Sequence, residues 1–365
     1  MTAVDDLGAA VAGERTPRRI FRAHLARERL DHVARLRDVL GRPPVALTAA
    51  YSFKTNPRAE LVRMARERGF FAEVISPGEL EHAARLGFAA EATIYNGPEP
   101  LSARPEAERV GAVFADSVEA FAHNVRLRIA HVHGVRLRPS MMASRFGVPV
   151  EDERELRDAV SLVPPGAPLG VSFHARREDY KGATWRDVAG DVLERATTLE
   201  RRTGRRIVAF NVGGGWTPEQ FDAGFHADMR WLVERIVAEL PSCTRLVFEP
   251  GQAVCTPAEA LLTQVLEVRE RRGRREAVVD LGYSDWPEMH AYVHGFFAWR
   301  DDRWRPLGRG PDRLAGRTCL EYDLIDGLRF PPDLVAGDRL LITGAGSYDH
   351  SMSFDFASGA EREAP

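Results

Sequence analysis

The sequence predicts an α/β protein: a (β/α)8 barrel followed by a smaller, mostly antiparallel β-domain. Three observations carry this expectation. Short apolar, β-branched runs alternate with longer stretches of helical period as far as about Pro257. The strand-like runs number eight, which is the count of the barrel. Beyond Pro257 the texture changes to β-rich segments broken by turns. An open doubly wound sheet shows the same alternation, but the count of eight and the later change of pattern favour the barrel. The expected division is an N-terminal segment, 1–25, able to lend a strand to the β-domain, a barrel over 26–260 and the β-domain over 261–365.

Taken in order, the strand runs are "VALTAAYS" from Val45, "FAEVIS" from Phe71, "ATIYNG" from Ala92 and "AVFADS" from Ala112. They continue with "GVRLRPS" from Gly134, "LGVSFHA" from Leu169, "RIVAFNVGGG" from Arg206 and "RLVFEPG" from Arg245. Amphipathic stretches such as "PRAELVRMARERG" and "PGELEHAARLG" separate most of them and supply the helical connections. The β-domain is read from "AVVDLGYSD", "RTCLEYDLI" and "RLLITGAGSYDHS", with a further strand expected near Ile20.

Composition narrows the function classes. A chain of 365 residues, 44% hydrophobic and 28% charged, has ample material for a folded core. Its formal net charge of −3 and the lack of a basic run interleaved with aromatics argue against nucleic acid as a partner. The opening residues lack the charged-then-apolar order of a signal peptide, and no apolar run is long enough to span a bilayer. Cys243, Cys255 and Cys319 are widely spaced and odd in number, which suits reduced thiols better than a disulfide frame or a zinc site. The expectation is a cytoplasmic protein. His131 and His133 alternate as a metal pair would, but no third ligand is near, so they are read as a solvated strand end and no metal is expected.

One residue stands out chemically. The chain writes almost every positive charge as arginine and keeps only two lysines, Lys54 and Lys181. Lys54 lies in the uncharged run "AAYSFKTNP", at the end of the first strand. A lysine can lose its proton and act as a nucleophile, whereas arginine stays protonated, so Lys54 is a candidate Schiff-base lysine. In a barrel, functional groups collect at the C-terminal ends of the strands. Those ends carry Lys54, Glu73, Asn96, Arg136, His174, the triplet Gly213–Gly215 and Glu249. The glycines allow backbone N–H groups to approach an anion such as phosphate, although a plain turn is an alternative. Glu249 at a buried strand end needs a cation or proton donor. His174 offers a flat face, or is simply a core histidine. Together, an amine, a phosphate cradle, a carboxylate and a ring meet the needs of pyridoxal phosphate.

The segments "YSFKTNP", "AEVISPGEL", "YNGP", "SRFG", "GVSFH", "VGGGW", "FEPG", "TCLEYD" and "GSYDHSMS" occur from about Ala46 to Phe356. Their order and spacing resemble the fold-type III pyridoxal-phosphate decarboxylases, the ornithine, diaminopimelate and arginine group, related in their barrel to alanine racemase. The resemblance implies that Lys54 binds the cofactor aldehyde, Glu249 pairs with the pyridine nitrogen, and His174 stacks on the ring. It implies that Glu73 and Arg136 flank the cofactor, that Gly251 and Gln252 are among its contacts, and that Gly213, Gly214, Gly215 and Tyr348 reach its phosphate. Cys319 and Asp323 match a C-x-x-x-D element. There the cysteine returns a proton after carbon dioxide leaves and the aspartate holds the substrate's distal amino group. This element comes from the partner subunit, so a homodimer with active sites at its interface is implied.

Several departures accompany the resemblance. "HARRED" puts Arg177 where a phosphate-binding serine is usual, and Gln252 stands where an arginine is usual. One hypothesis joins the two: the cationic phosphate contact has moved to Arg177 or Arg176. The end "FDFASG" lacks the usual asparagine-glycine. "FEPGQAV" and "TCLEYD" are somewhat closer to the carboxynorspermidine decarboxylases, and Glu321 and Tyr322 would bias the pocket toward a cationic substrate. The expected reaction is α-decarboxylation of a basic amino acid or carboxylated polyamine. Racemisation on the same fold, or a non-catalytic regulatory role, are the alternatives.

Overall fold

The computed structural model describes Val4, residues 7–180 and residues 182–356. Lys181 and the altered chain end beyond Phe356 lie outside the described residues. The contacts divide the chain into two compact units, Arg27–Val254 and a second made of Met1–Ala26 with Cys255–Pro365.

The first unit is the barrel. Its strands are β1 (Ala46–Ser52), β2 (Phe71–Val74), β3 (Thr93–Tyr95), β4 (Val110–Ala115), β5 (Ala130–Arg138), β6 (Leu169–Ser172), β7 (Ile207–Asn211) and β8 (Arg245–Phe248). Each pairs in parallel with its neighbours, β8 returns to β1, and the ring is complete between every successive pair. All eight strand runs read from the sequence are therefore present. Both faces of such strands are covered, which is why β1 and β4 are apolar almost throughout instead of alternating.

Helices are started by side chains placed for it. Ser76 accepts from the Glu79 N–H ahead of the helix Pro77–Arg85, and Ser117 does the same for Ala120 ahead of Val118–Leu127. Thr184 and Asp187 cap each other reciprocally at the head of Trp185–Thr203. Inside the ring, Ala50, Ile94, Ala112, Phe114 and Val247 form a buried cluster. Phe114 fills the axis because β5 has a glycine opposite it. A Cβ on Gly134 would stand 2.3 Å from the Phe114 ring. Phe114 thereby becomes the floor of the cavity described below.

The second unit is a curled, mixed sheet. Its strands are β9 (Glu259–Arg271), β10 (Arg274–Val279), β11 (Gly295–Arg300), β12 (Arg303–Pro306), β13 (Gly308–Ala315), β14 (Leu324–Arg329) and β15 (Arg339–Thr343). The order is β12-β11-β15-β9-β10-β13-β14, and the strand Arg18–Phe21 pairs antiparallel with β9. Only β10 with β13 is parallel among the described pairings of this sheet. One face packs Leu261, Val265, Val279, Trp286, Leu340 and Ile342, and the other packs Ile20, Leu262, Trp304 and Leu341. This alternation of faces along β9 and β15 is the period of two expected of a sheet covered on both sides.

Candidate active site

A cavity of about 260 Å³ opens at the C-terminal mouth of the barrel. Its wall brings together Lys54, Glu73, Asn96, Arg136, His174, Gly213 and Glu249, all from the strand ends named above in chain order. Parallel strands in one ring end on one rim, so residues as distant in the chain as Lys54 and Glu249 meet there.

Lys54 Nζ donates to both oxygens of Glu73, at 2.7 Å each. Glu73 is fully buried and its Oε2 also accepts from Ser52 Oγ at 2.6 Å. The ammonium is thus held at a defined point of the wall while its side chain stays 26% exposed. A carboxylate bearing one cation and a hydroxyl donor is compensated for its burial.

Glu249, 4% exposed, is built differently. Its Oε1 accepts from Asn96 Nδ2 at 2.7 Å and from Asn211 Nδ2 at 2.8 Å. His174 Nδ1 lies 3.9 Å from Oε2, beyond hydrogen-bond distance. Burial pushes the Glu249 carboxyl up, but His174, the charge on Lys54 and the Asn211 amide outweigh it and hold the group down at about 2. Glu249 is therefore a carboxylate at neutral pH. For Arg136, burial pulls the ionisation down while Glu249, Asp116 and Glu73 pull it up. Its guanidinium lies 5.1 Å from the centre of the Phe146 ring, and both line the cavity.

The glycine triplet is needed by packing as well as by any ligand. A Cβ on Gly214 would stand 2.1 Å from the Glu249 backbone oxygen, and Gly213 adopts φ +66°. The Gly213 N–H donates to Asn211 Oδ1 at 2.9 Å and the Gly214 N–H to His174 Nδ1 at 3.2 Å. Two of the three amides thus order the rim itself. Trp216, directly after the triplet, packs edge-on against Phe225 and beside Trp185, which pins the exit of the loop.

The remaining sequence candidates fall elsewhere. Arg176 and Arg177 are exposed and outside the cavity wall, and the Arg176 guanidinium is engaged by Asp179 at 3.0 Å. Gly251 and Gln252 open a short helix behind the rim. Cys319, Glu321, Tyr322, Asp323 and Tyr348 belong to the second unit. Cys319 is an exposed free thiol, and Glu321 and Tyr322 are exposed beside it. Asp323, expected to hold a substrate amine, is 3% exposed with both oxygens occupied by backbone donors of its own unit. The wall also contains Asn211 and Phe146, and Ser52 stands behind it on Glu73; none of the three is among the strand-end candidates. Ser52 and Asn211 carried a signal: each is a polar residue closing an apolar, buried strand.

The rim fits pyridoxal phosphate at two of the cofactor's three ends. A primary amine projects into the cavity for the aldehyde, and an ionised, buried carboxylate is available for the protonated ring nitrogen. At the phosphate end the loop offers the Gly215 N–H, its two neighbours being used within the rim.

Comparison with known proteins agrees with this chemistry. Residues 30–256 match the family model described as pyridoxal-dependent decarboxylase, pyridoxal binding domain. A diaminopimelate decarboxylase of Deinococcus radiodurans is 30% identical over 84% of this chain and 80% of its own length. A lysine/ornithine decarboxylase of Selenomonas ruminantium is 26% identical over 82% and 78%. Among solved structures, diaminopimelate decarboxylase from Helicobacter pylori, complexed with L-lysine, superposes with a TM-score of 0.76 at 18% identity, covering 95% of this chain and 90% of that one. None of the described helices is long and apolar enough to cross a membrane. The chain belongs to the pyridoxal-dependent decarboxylases, enzymes whose cofactor is pyridoxal 5′-phosphate.

Proposed function

We propose that this protein removes the α-carboxyl group of a basic amino acid or a carboxylated polyamine, giving an amine and carbon dioxide, and that it works as a homodimer. The observation that carries the reading is the single rim on which Lys54, Glu73, His174 and Glu249 surround one cavity. Relatives named for diaminopimelate and for lysine or ornithine support a substrate with a second, distal charge.

When bound, pyridoxal phosphate supplies an electron sink for the pair left by the departing carboxylate. The side chains divide the remaining work. Lys54 provides the amine that anchors the cofactor aldehyde, and Glu73 holds that amine in place by accepting its hydrogen bonds at Oε1 and Oε2. Glu249, ionised at neutral pH, favours a proton on the ring nitrogen facing it. His174 is proposed as the stacking ring, with its Nδ1 fixed by the Gly214 N–H. Arg136 flanks the cofactor, and Gly215 with Tyr348 is proposed for the phosphate. The C–C bond to the carboxyl breaks, and Cys319 Sγ–H gives its proton to the substrate Cα, then recovers one from solvent. Cys319 is supplied by the second subunit. Glu321 and Tyr322, exposed beside it, are the proposed contacts for the distal cation.

The experiment is a visible absorption spectrum with added pyridoxal phosphate, before and after borohydride, for the native protein and Lys54→Ala. A borohydride-sensitive band that vanishes in Lys54→Ala is expected. Carbon dioxide release from lysine, ornithine, arginine, diaminopimelate and carboxynorspermidine then ranks the substrates. Inversion at Cα without carbon dioxide would replace decarboxylation by racemisation, and no band even at high cofactor would remove the catalytic reading.

A further inference from the structure

We propose that Asp323 is a positioning residue that shapes the loop displaying Cys319, and that it makes no contact with substrate. The proposal rests on the reading of Cys319 as the proton donor.

The loop runs over 316–323, between β13 and β14, and Asp323 ties it at both ends. Its Oδ1 accepts from the Tyr283 N–H at 2.8 Å. Its Oδ2 accepts from the Thr318 N–H at 3.0 Å and from the Thr318 hydroxyl. The Asp323 N–H donates to the Leu320 carbonyl at 3.0 Å, and the Asp323 carbonyl accepts from Gly316 N–H at 2.8 Å. The Thr318 hydroxyl in turn accepts from the Leu320 N–H at 3.4 Å. Residues on both sides of Cys319 are therefore bonded to one carboxylate or to its main chain.

The fit around that carboxylate is close. A Cβ on Gly316 would stand 2.1 Å from Asp323 Oδ1, so the strand end passes directly over it. The side chain is 3% exposed. The segment it grips is braced a second time, since Tyr283 and Tyr322 rings meet edge to face at 4.7 Å and His290 Nε2 contacts the Tyr322 carbonyl at 2.9 Å. A substrate ammonium could reach such a carboxylate only by displacing the backbone N–H donors of Tyr283 and Thr318, which would then lose their acceptor. What the arrangement does provide is a fixed turn with Cys319, Glu321 and Tyr322 on its exposed side. A proton donor that must meet one carbon atom gains rate from such fixation.

The test uses the cofactor-loaded enzyme and its best substrate, with Cys319→Ala, Asp323→Asn and the double variant. The Asp323→Asn change would set an NH2 group against at least one N–H donor and loosen the turn. The expected result is a fall of about tenfold or more in kcat for Asp323→Asn with KM nearly unchanged, and a double variant no slower than Cys319→Ala. A purely structural role would instead give losses that multiply. Thr318→Val is expected to follow Asp323→Asn to a smaller extent and Thr318→Ser to restore the rate; this pair carries the same test if Asp323→Asn fails to fold. A raised KM with kcat intact, full activity, or multiplying losses would overturn the assignment of Asp323 while leaving Cys319 in its role. Full turnover by Cys319→Ala would overturn both.

Discussion

Glu249 at the barrel rim and Asp349 in the β unit are both buried carboxylates, 4% and 0% exposed, yet their surroundings treat them in opposite ways. Glu249 receives two amide donors and lies near Lys54 and His174, so it stays ionised with its acidity held down at about 2. Asp349 Oδ1 accepts one hydrogen bond, from the Glu288 N–H at 3.0 Å, and its Oδ2 has no hydrogen-bond partner among the described residues. Burial pushes Asp349 up to about 7, only partly opposed by the Glu288 N–H and Arg19. The difference teaches that burial alone decides nothing about a carboxylate; the number of donors aimed at it does. At the rim the fold has assembled a permanent charge. Beside Tyr348, whose φ is +65°, it has assembled an acid that carries its proton until near neutrality.

The largest effect expected from this contrast is on activity. Glu249→Gln keeps the shape and removes the charge, and carbon dioxide release is expected to fall by about 10² to 10³-fold, the scale of losing one preorganised electrostatic partner. A variant retaining full rate would break the comparison at its functional end. The next effect is on stability against pH. Asp349 ionises near 7 in the folded chain and near 3.8 in the unfolded one, so its contribution is complete below 3.8 and is lost as pH rises toward 7. Urea unfolding at several pH values is expected to lose about 1.4 kcal/mol per pH unit from this group inside that window, and Asp349→Asn to flatten the slope. Glu249 works in the other direction. Its contribution is present above 4.5 and lost as pH falls toward about 2.

Two smaller changes sharpen the rim itself. Asn211→Ala removes a donor to Glu249 and the acceptor for the Gly213 N–H, with an expected cost of about 1–3 kcal/mol in urea unfolding and weaker cofactor binding. Ser52→Ala removes one donor from Glu73 while Lys54 remains paired with it. The expected cost is about 1 kcal/mol, with the absorption band of the bound cofactor retained. A loss as large as that of Asn211→Ala would mean that Glu73 depends on Ser52 more than on Lys54.

Much of this rim was legible in the chain. Lys54, Glu73, Asn96, His174 and Glu249 could be grouped because each closes a strand of one parallel ring, and a ring of parallel strands has a single C-terminal face. Asn211 and Ser52 were recoverable by the same rule, as polar closures of apolar runs, but a lone asparagine or serine also ends strands for local reasons. Phe146 lies in the segment "SRFG", but the strand-end rule does not place it, because it enters the wall from the irregular stretch after β5. The glycine triplet marks either a phosphate loop or a plain turn in the sequence, and nothing local in it shows that two of its amides are spent on Asn211 and His174.

The sequence by itself determined the order and type of the elements, the identity of the one lysine among the rim residues and the family motifs that surround it. These follow from periodicities and spacings carried within a few residues of chain. The tertiary structure decided which carboxylates are charged, which are neutral and which are already occupied. Asp323 is claimed by an N–H 40 residues away at Tyr283, Glu249 by an amide 153 residues away at Asn96, and Asp349 by one 61 residues away at Glu288. Hydrogen-bond donors and desolvation act through space, over a few ångströms, and no local pattern of residues records which distant backbone will arrive there.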